Sequence, residues 1–304
     1  MVRLRHKGLL CNNAHMHWKI VVIALMAAQV LVEVLFKRAT DRQPKQKSLG
    51  VAYQFFFCSL WALALSAVIG EGIGNARNIL AAAGVGALNA YGNYSNWRAY
   101  AYSLSRTALF FPLSSLIAIV LAVVILGERV LVEPTVFFGV LLSFFAMWLF
   151  QVPQKEGQFP HRRAWLFATV ATVVIFGVTN YLLKPLALGG VSLHEFVVGW
   201  YGGSFIGSLT ILPFERVRTM RLSRRSLVAI VILSLGFVVA LSLLFVTYQY
   251  GGTLTQIIPL KGIALTILPA IIGWLYFGEK QGMGKREWWA FSLGLAGAVL
   301  ILLR

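Results

Sequence analysis

Residues 226–245 read SLVAIVILSLGFVVALSLLF and contain no charged side chain. Residues 49–69 form a second uncharged stretch of similar length. A run of about 20 apolar residues spans the hydrocarbon core of a bilayer, and a helix satisfies the backbone hydrogen bonds there. The sequence therefore predicts an all-α membrane protein.

The composition of the whole chain agrees with this prediction. Of 304 residues, 59% are hydrophobic and only 12% are charged, whereas a soluble domain normally carries about 25% charged residues. The net charge of +17 would suggest nucleic acid in a soluble protein. Here the basic residues lie in short loops between apolar runs, where they orient the chain and face lipid phosphates. We therefore expect membrane lipids, and no nucleic acid, as partners.

Apolar runs separated by charged or Gly/Pro-rich breaks predict ten transmembrane helices. The predicted spans are 18–36, 49–69, 78–96, 105–126, 133–151, 164–183, 193–213, 226–248, 253–277 and 286–303. The break at the midpoint holds Pro153, Gly157 and Pro160, and it is the predicted boundary between two halves. The resulting organisation is a basic N-terminal tail (1–17), a first five-helix repeat (18–151), an inter-repeat loop (152–163) and a second five-helix repeat (164–304).

Each half carries one copy of a motif made of Pro-Leu, an apolar stretch and Gly-Glu followed by a basic residue. The copies are Pro112, Gly127 and Glu128 in the first half and Pro259, Gly278 and Glu279 in the second. The first and sixth spans also match, because Lys37 ends one and Lys184 ends the other. Five helices per half is an odd number, so the halves cross the membrane in opposite directions. The interface of such an inverted repeat is the usual binding site of a transporter.

This twice-repeated pattern resembles the drug/metabolite transporter superfamily, in particular its EamA-type members, over residues 18–303. The resemblance implies a ten-helix basket with a central cavity, lined mainly by the third, fourth, eighth and ninth helices, that works by alternating access. It does not identify a substrate, because the superfamily moves amino acids, nucleosides, sugars, vitamins and drugs.

The distribution of basic residues bears on orientation and location. They are more numerous in the loops that include Lys45 and Arg225 than on the opposite face, which places both termini outside the cell. Members of the resembled superfamily often have both termini inside, so the two indications differ. We expect an integral, multi-pass protein of a bacterial inner membrane, as a monomer or a homodimer.

Charged side chains inside predicted spans are expensive and are candidates for function. Lys261 follows the Pro259 break in the ninth helix, where an ammonium beside freed carbonyls suits the carboxylate or phosphate of a substrate. The alternatives are an ion pair with Glu33 or snorkelling to the interface. Glu33 is itself the candidate for proton coupling, or it forms an i,i+4 pair with Lys37. Arg106, at the start of the fourth helix, either guards the cavity or anchors the interface.

The third helix carries a polar stripe. Asn89, Asn93 and Asn96 share one helix face, and amides facing lipid are disfavoured. Tyr94 lies in the same segment. The stripe predicts either helix–helix contacts or the polar, aromatic wall of a substrate cavity. Its counterparts in the second half are Asn180, Tyr181, Tyr248 and Gln256.

The Gly-Glu pairs of the repeated motif follow helix C-termini, where the helix dipole disfavours an acid. We predict structural or gating roles for them, with Glu128 paired to Arg129 and Glu279 to Lys280. The pair His194-Glu195 opens the seventh helix, where a capping or surface role is expected.

No nucleophile–base arrangement, phosphate loop or metal-ligand spacing occurs in the sequence, so we expect a non-enzyme without cofactor or metal. The leading hypothesis is a secondary transporter, an exporter or exchanger, of a small organic metabolite such as an amino acid or organic anion. The alternative is a non-catalytic membrane accessory or lipid-binding protein.

Overall fold

The computed structural model describes residues 18–32, 35, 47–69, 74–102, 104–128, 133–151, 162–215, 223–277 and 285–303. Every regular element in these ranges is helical, which confirms the predicted all-α class. The helices are α1 (Trp18–Val32), α2 (Lys47–Ile69), α3 (Ala76–Tyr102), α4 (Leu104–Leu126), α5 (Pro134–Gln151), α6 (Arg162–Leu188), α7 (Leu193–Ile211), α8 (Arg224–Gln249), α9 (Leu254–Phe277) and α10 (Lys285–Leu302). A 3₁₀ turn, Leu212–Glu215, follows α7.

Four of the described helices are long and apolar enough to cross a membrane: α2, α6, α7 together with its 3₁₀ turn, and α8. Within the same ranges, α1, α4, α5, α9 and α10 contribute shorter apolar segments. Large apolar side chains such as Phe167 and Trp289 point outward, as contact with lipid requires. The chain is therefore a helical membrane protein.

Two helices extend well beyond their predicted limits. α3 runs past residue 96 to Tyr102, and α6 runs past Pro185 to Leu188. The proline does not end α6 because it lies in the last turn, where its missing N–H removes a single helical bond. The Pro185 carbonyl still accepts a hydrogen bond from Gly189 N–H at 2.8 Å.

α3 and α7 pack with almost no side chain between their backbones. A Cβ atom added to Gly203 would lie 2.0 Å from the carbonyl oxygen of Ala83, and one added to Gly199 would lie 2.4 Å from that of Ile79. The residue numbers differ by 120 in both pairs, so moving along one helix means moving in the same direction along the other, and the two helices run parallel. Close approach of small residues of this kind is how membrane helices gain packing energy.

The other helices pack against this pair or against one another. α3 also packs against α6, α2 against α7 and α8, α4 against α6 and α9, and α5 against α9 and α10. At the crossing of α5 and α10, a Cβ on Gly297 would meet the Gly139 carbonyl oxygen at 2.7 Å. Between α7 and α8 the buried rings of Phe196 and Phe245 stack with centroids 3.9 Å apart. Small residues and stacked rings therefore hold the core of the bundle.

The close approach of α3 and α7 generates a prediction about adjacent glycines. Gly203→Ala places a methyl group against backbone, which cannot move aside locally, so we expect a loss of about 1–3 kcal/mol in unfolding free energy. Gly202→Ala is the matched control, because nothing lies within 4 Å of a Cβ at Gly202. Thermal unfolding of the detergent-purified variants measures the difference. Equal melting temperatures for the two variants would contradict the packing described above.

Candidate functional site

Two residues predicted for the substrate site meet between α6 and α9. The Lys261 Nζ donates a hydrogen bond to the Asn180 Oδ1 at 3.2 Å, and both side chains are partly buried. An amide oxygen accepts a hydrogen bond from an ammonium but carries no negative charge. Asn180 therefore provides the lysine with a neutral hydrogen-bond partner. The next residue on α6, Tyr181, is buried.

A buried carboxylate binds α6 at Lys184, about one helical turn after Asn180. Glu128, just beyond the end of α4, forms an ion pair with Lys184, and the two side chains are only 6% and 9% exposed. Its carboxylate also accepts hydrogen bonds from the backbone N–H groups of Leu254 at 3.1 Å and Thr255 at 3.2 Å. Glu128 thus joins α4, α6 and the first turn of α9.

These contacts explain why an acid follows the C-terminus of α4. Gly127 has a φ of +65°, a conformation that glycine adopts without strain, and it ends the helix. The next residue, Glu128, reaches the N-terminus of α9, where unpaired N–H groups and the helix dipole favour a negative charge. A structural or gating role for Glu128 stays a prediction, and its partner in the described residues is Lys184. Arg129 lies outside the described residues.

Two more residues predicted for the substrate site, Tyr248 and Gln256, lie near the start of α9 in the sequence. Tyr248 is fully buried, close enough to Glu128 to interact with it electrostatically. Its hydroxyl has no hydrogen-bond partner in the described part of the chain. The Oε1 of buried Gln256 accepts from the Thr253 Oγ1 at 2.7 Å. Pro259 of the repeated motif is buried in the same helix.

The polar stripe of α3 is held by separate contacts. The Asn93 side chain donates to the Asn89 carbonyl of its own helix at 3.1 Å, and Asn96 is buried. The Arg98 guanidinium lies 5.8 Å from the ring centroid of Tyr94, and Tyr94 also interacts with Glu215. The two interpretations of this stripe, as a contact between helices or as the wall of a substrate cavity, stay predictions.

Two other carboxylates bind helix N-termini, and sequence reasoning found only one of them. Glu195 completes a capping box with Ser192 at the start of α7, as the capping prediction expected. It also accepts from the Asn78 Nδ2 at 2.8 Å, at the start of α3. Glu215 accepts from both N–H and hydroxyl of Ser48 in the first turn of α2, at 2.9 and 2.8 Å. Ser192 and Glu195 have the Ser-x-x-Glu spacing that signals a capping box in a sequence. No comparable sequence signal indicates that Glu215 binds the start of α2.

Several predicted residues cannot be assigned a position. Glu33, Gly278 and Glu279 lie outside the described residues, as does Lys280. Arg106 and Pro112 belong to α4, but their side chains are likewise outside the described part. Within that part, no three His, Cys, Asp or Glu side chains are grouped to hold a metal ion.

The Glu128 contacts generate a test of their energetics. Glu128→Gln leaves the buried Lys184 ammonium without its counter-charge, so we expect a loss of about 3–5 kcal/mol in unfolding free energy. Adding Lys184→Met removes the unpaired charge and should recover most of that loss. The measurement is thermal unfolding of both variants in detergent. A double variant as unstable as Glu128→Gln alone would contradict the ion pair as the source of the effect.

The fold is shared with solved structures, of which 28 chains match. One of them, described only as the crystal structure of a protein, superimposes with a TM-score of 0.77 over 93% of this chain and 98% of its own length. The sequence identity is 18%, so the similarity establishes a common fold alone. No protein-family model and no curated protein matches the chain.

Proposed function

We propose that the chain is a secondary transporter, an exporter or exchanger, of a small organic metabolite that carries an anionic group, such as an amino acid or organic anion. It works by alternating access as a multi-pass protein of the bacterial inner membrane. The observation that carries the proposal is the contact between Lys261 and Asn180 inside a bundle of apolar helices.

The position of Lys261 along α9 supports a role in binding. It lies seven residues after Leu254, the first residue of the helix, which is about 10 Å along the axis. A lysine near a helix end reaches water by snorkelling, but this one is directed at an amide on a neighbouring helix. An intramembrane cation held in this way is typical of a site on a substrate pathway.

The helix neighbours support the proposal of two repeats. If each helix of the first half corresponds to the helix five places later, a twofold axis exchanges α2 with α7 and α3 with α8. The packing of α3 on α7 then corresponds to that of α2 on α8, and both occur. Contacts between equivalent helices, α2 with α7, α4 with α9 and α5 with α10, are those expected along such an axis. An inverted repeat of this kind places the substrate at the repeat interface.

The energy source follows from what the sequence contains. It has no ATP-binding motif, so a gradient of solute or ion drives the proposed transport. Glu33 is the candidate for proton coupling, whereas solute exchange needs no titrating acid. Exchange or downhill movement is therefore compatible with every residue proposed for the site.

The test is a thermal-shift screen of the detergent-purified protein with amino acids, nucleosides, sugars, vitamins and organic acids. We expect anionic ligands to raise the melting temperature of the wild type. Lys261→Gln should weaken their binding by about 2 kcal/mol, roughly thirtyfold in Kd, because a charge-assisted hydrogen bond is lost.

The matched control is Lys285→Gln, which removes the same charge from an exposed position at the start of α10 and should leave binding unchanged. Equal weakening of neutral and anionic ligands by Lys261→Gln would contradict the anionic preference. If lipids were the only compounds that stabilised the protein, the lipid-binding alternative would replace transport.

A further inference from the structure

The N-terminus of α9 presents a set of donors that converge on one carboxylate. Two backbone N–H groups, from Leu254 and Thr255, and the Lys184 ammonium bind the same two oxygen atoms. Helix N-termini with an added cation are ready-made anion sites. Here the anion is Glu128, a side chain of the protein itself, attached to the neighbouring helix α4.

A second observation is a buried hydroxyl that could add to this group of donors. Tyr248, in the last turn of α8, is fully buried within electrostatic range of Glu128, and its hydroxyl has no partner in the described part of the chain. A buried hydroxyl is normally hydrogen-bonded, and a carboxylate offers about four acceptor positions. Glu128 uses three of them on Leu254, Thr255 and Lys184. The carboxylate of a free solute is not attached to α4, so it can move to accept a fourth hydrogen bond, from the Tyr248 hydroxyl.

The location of this anion site links it to the proposed substrate site. Lys184 and Asn180 are separated by four residues, so they lie on one face of α6. Asn180 in turn holds Lys261. A carboxylate bound at Lys184 is therefore about one helical turn of α6 from Asn180, the residue that binds Lys261 of α9.

We propose that the α9 N-terminus, Lys184 and Tyr248 form a carboxylate-binding site, that Glu128 occupies it and so closes this end of the bundle, and that a solute carboxylate replaces Glu128 when α4 moves away. The replacement step rests on the proposed transport function. The binding site and its closure by Glu128 do not.

The physical consequence is a coupling between opening and the presence of an anion. Withdrawal of Glu128 alone leaves a buried ammonium and two backbone N–H groups unpaired, which is strongly unfavourable. Withdrawal in exchange for a solute carboxylate keeps all three paired. The contact therefore resists opening in an empty transporter and yields when an anionic solute is available.

The first experiment is a chemical rescue of Glu128→Ala, because the atoms removed by this substitution correspond to acetate. The purified full-length variant should melt below the wild type, and sodium acetate should restore much of the loss, increasingly with concentration. Acetamide, which is uncharged, and sodium chloride should restore little. Combining Glu128→Ala with Lys184→Met should abolish the acetate effect.

Glu195→Ala is the matched control, because it empties another buried carboxylate position whose donors are Asn75 N–H, the Asn78 amide and the Ser192 N–H, with no lysine among them. Acetate should rescue it much less. No acetate rescue of Glu128→Ala, rescue that persists without Lys184, or equal rescue of the control would each overturn the binding site.

The second experiment measures closure. A cysteine at Thr255, which is fully buried, is introduced into a chain with Cys11→Ser and Cys58→Ser, and its labelling by a neutral maleimide is timed. Labelling should be faster with Glu128→Ala than with Glu128, and acetate should slow it again. Equal rates with and without Glu128 would overturn closure. Neither experiment requires transport. Either can therefore fail while the transport proposal stands, and the transport proposal can fail while both experiments succeed.

Discussion

Carboxylate side chains bind the N-termini of helices that lie far away in the sequence, and this interaction organises the helix bundle. The first N–H groups of a helix have no partner within that helix, so other groups must bind them. Serine side chains do so at α7 and α8, and carboxylates from elsewhere in the chain bind the starts of three other helices. Glu128 binds two N–H groups at the start of α9, and Glu215 binds that of Ser48 in α2. Glu195 binds the N–H of Asn75, just before α3, and the Asn78 side-chain amide. The chain has only ten acidic residues, so three of them in this role indicate that helix capping governs where acids are placed.

These carboxylates also connect distant parts of the chain. Glu128 precedes the midpoint and binds a helix that follows it, whereas Glu195 and Glu215 follow the midpoint and bind helices that precede it. The glycine contacts between α3 and α7 cross the midpoint as well. The backbones of α3 and α7 pack directly against each other, whereas the helix starts are bound by carboxylates, of which Glu128 also pairs with a lysine. A contact between charges is the kind that another anion can replace, which is why we assign movement to the Glu128 end.

The sequence predicts the helices well and their contacts poorly, for a physical reason. The apolar run of residues 226–245 specifies a helix locally, and the cost of an intramembrane charge identifies Lys261 as a candidate without indicating which residues it contacts. The partners are non-local: Asn180 lies 81 residues from Lys261, and Thr255 lies 127 from Glu128. The helix dipole makes an acid at Glu128 unusual, and the sequence suggests the adjacent Arg129 as its counter-charge, whereas the described partner, Lys184, lies 56 residues away. Glu215 was missed because it borders an arginine-rich loop, where a carboxylate resembles a solvated charge.

The most direct test of the account is solute counterflow in proteoliposomes preloaded with unlabelled amino acids or organic acids. The account predicts that wild-type protein accumulates the labelled form of at least one anionic solute above empty liposomes. Lys261→Gln should abolish that accumulation, whereas Lys285→Gln should preserve it. If wild-type protein and empty liposomes gave the same uptake for the whole panel, the proposal that this membrane protein transports anionic metabolites would be contradicted.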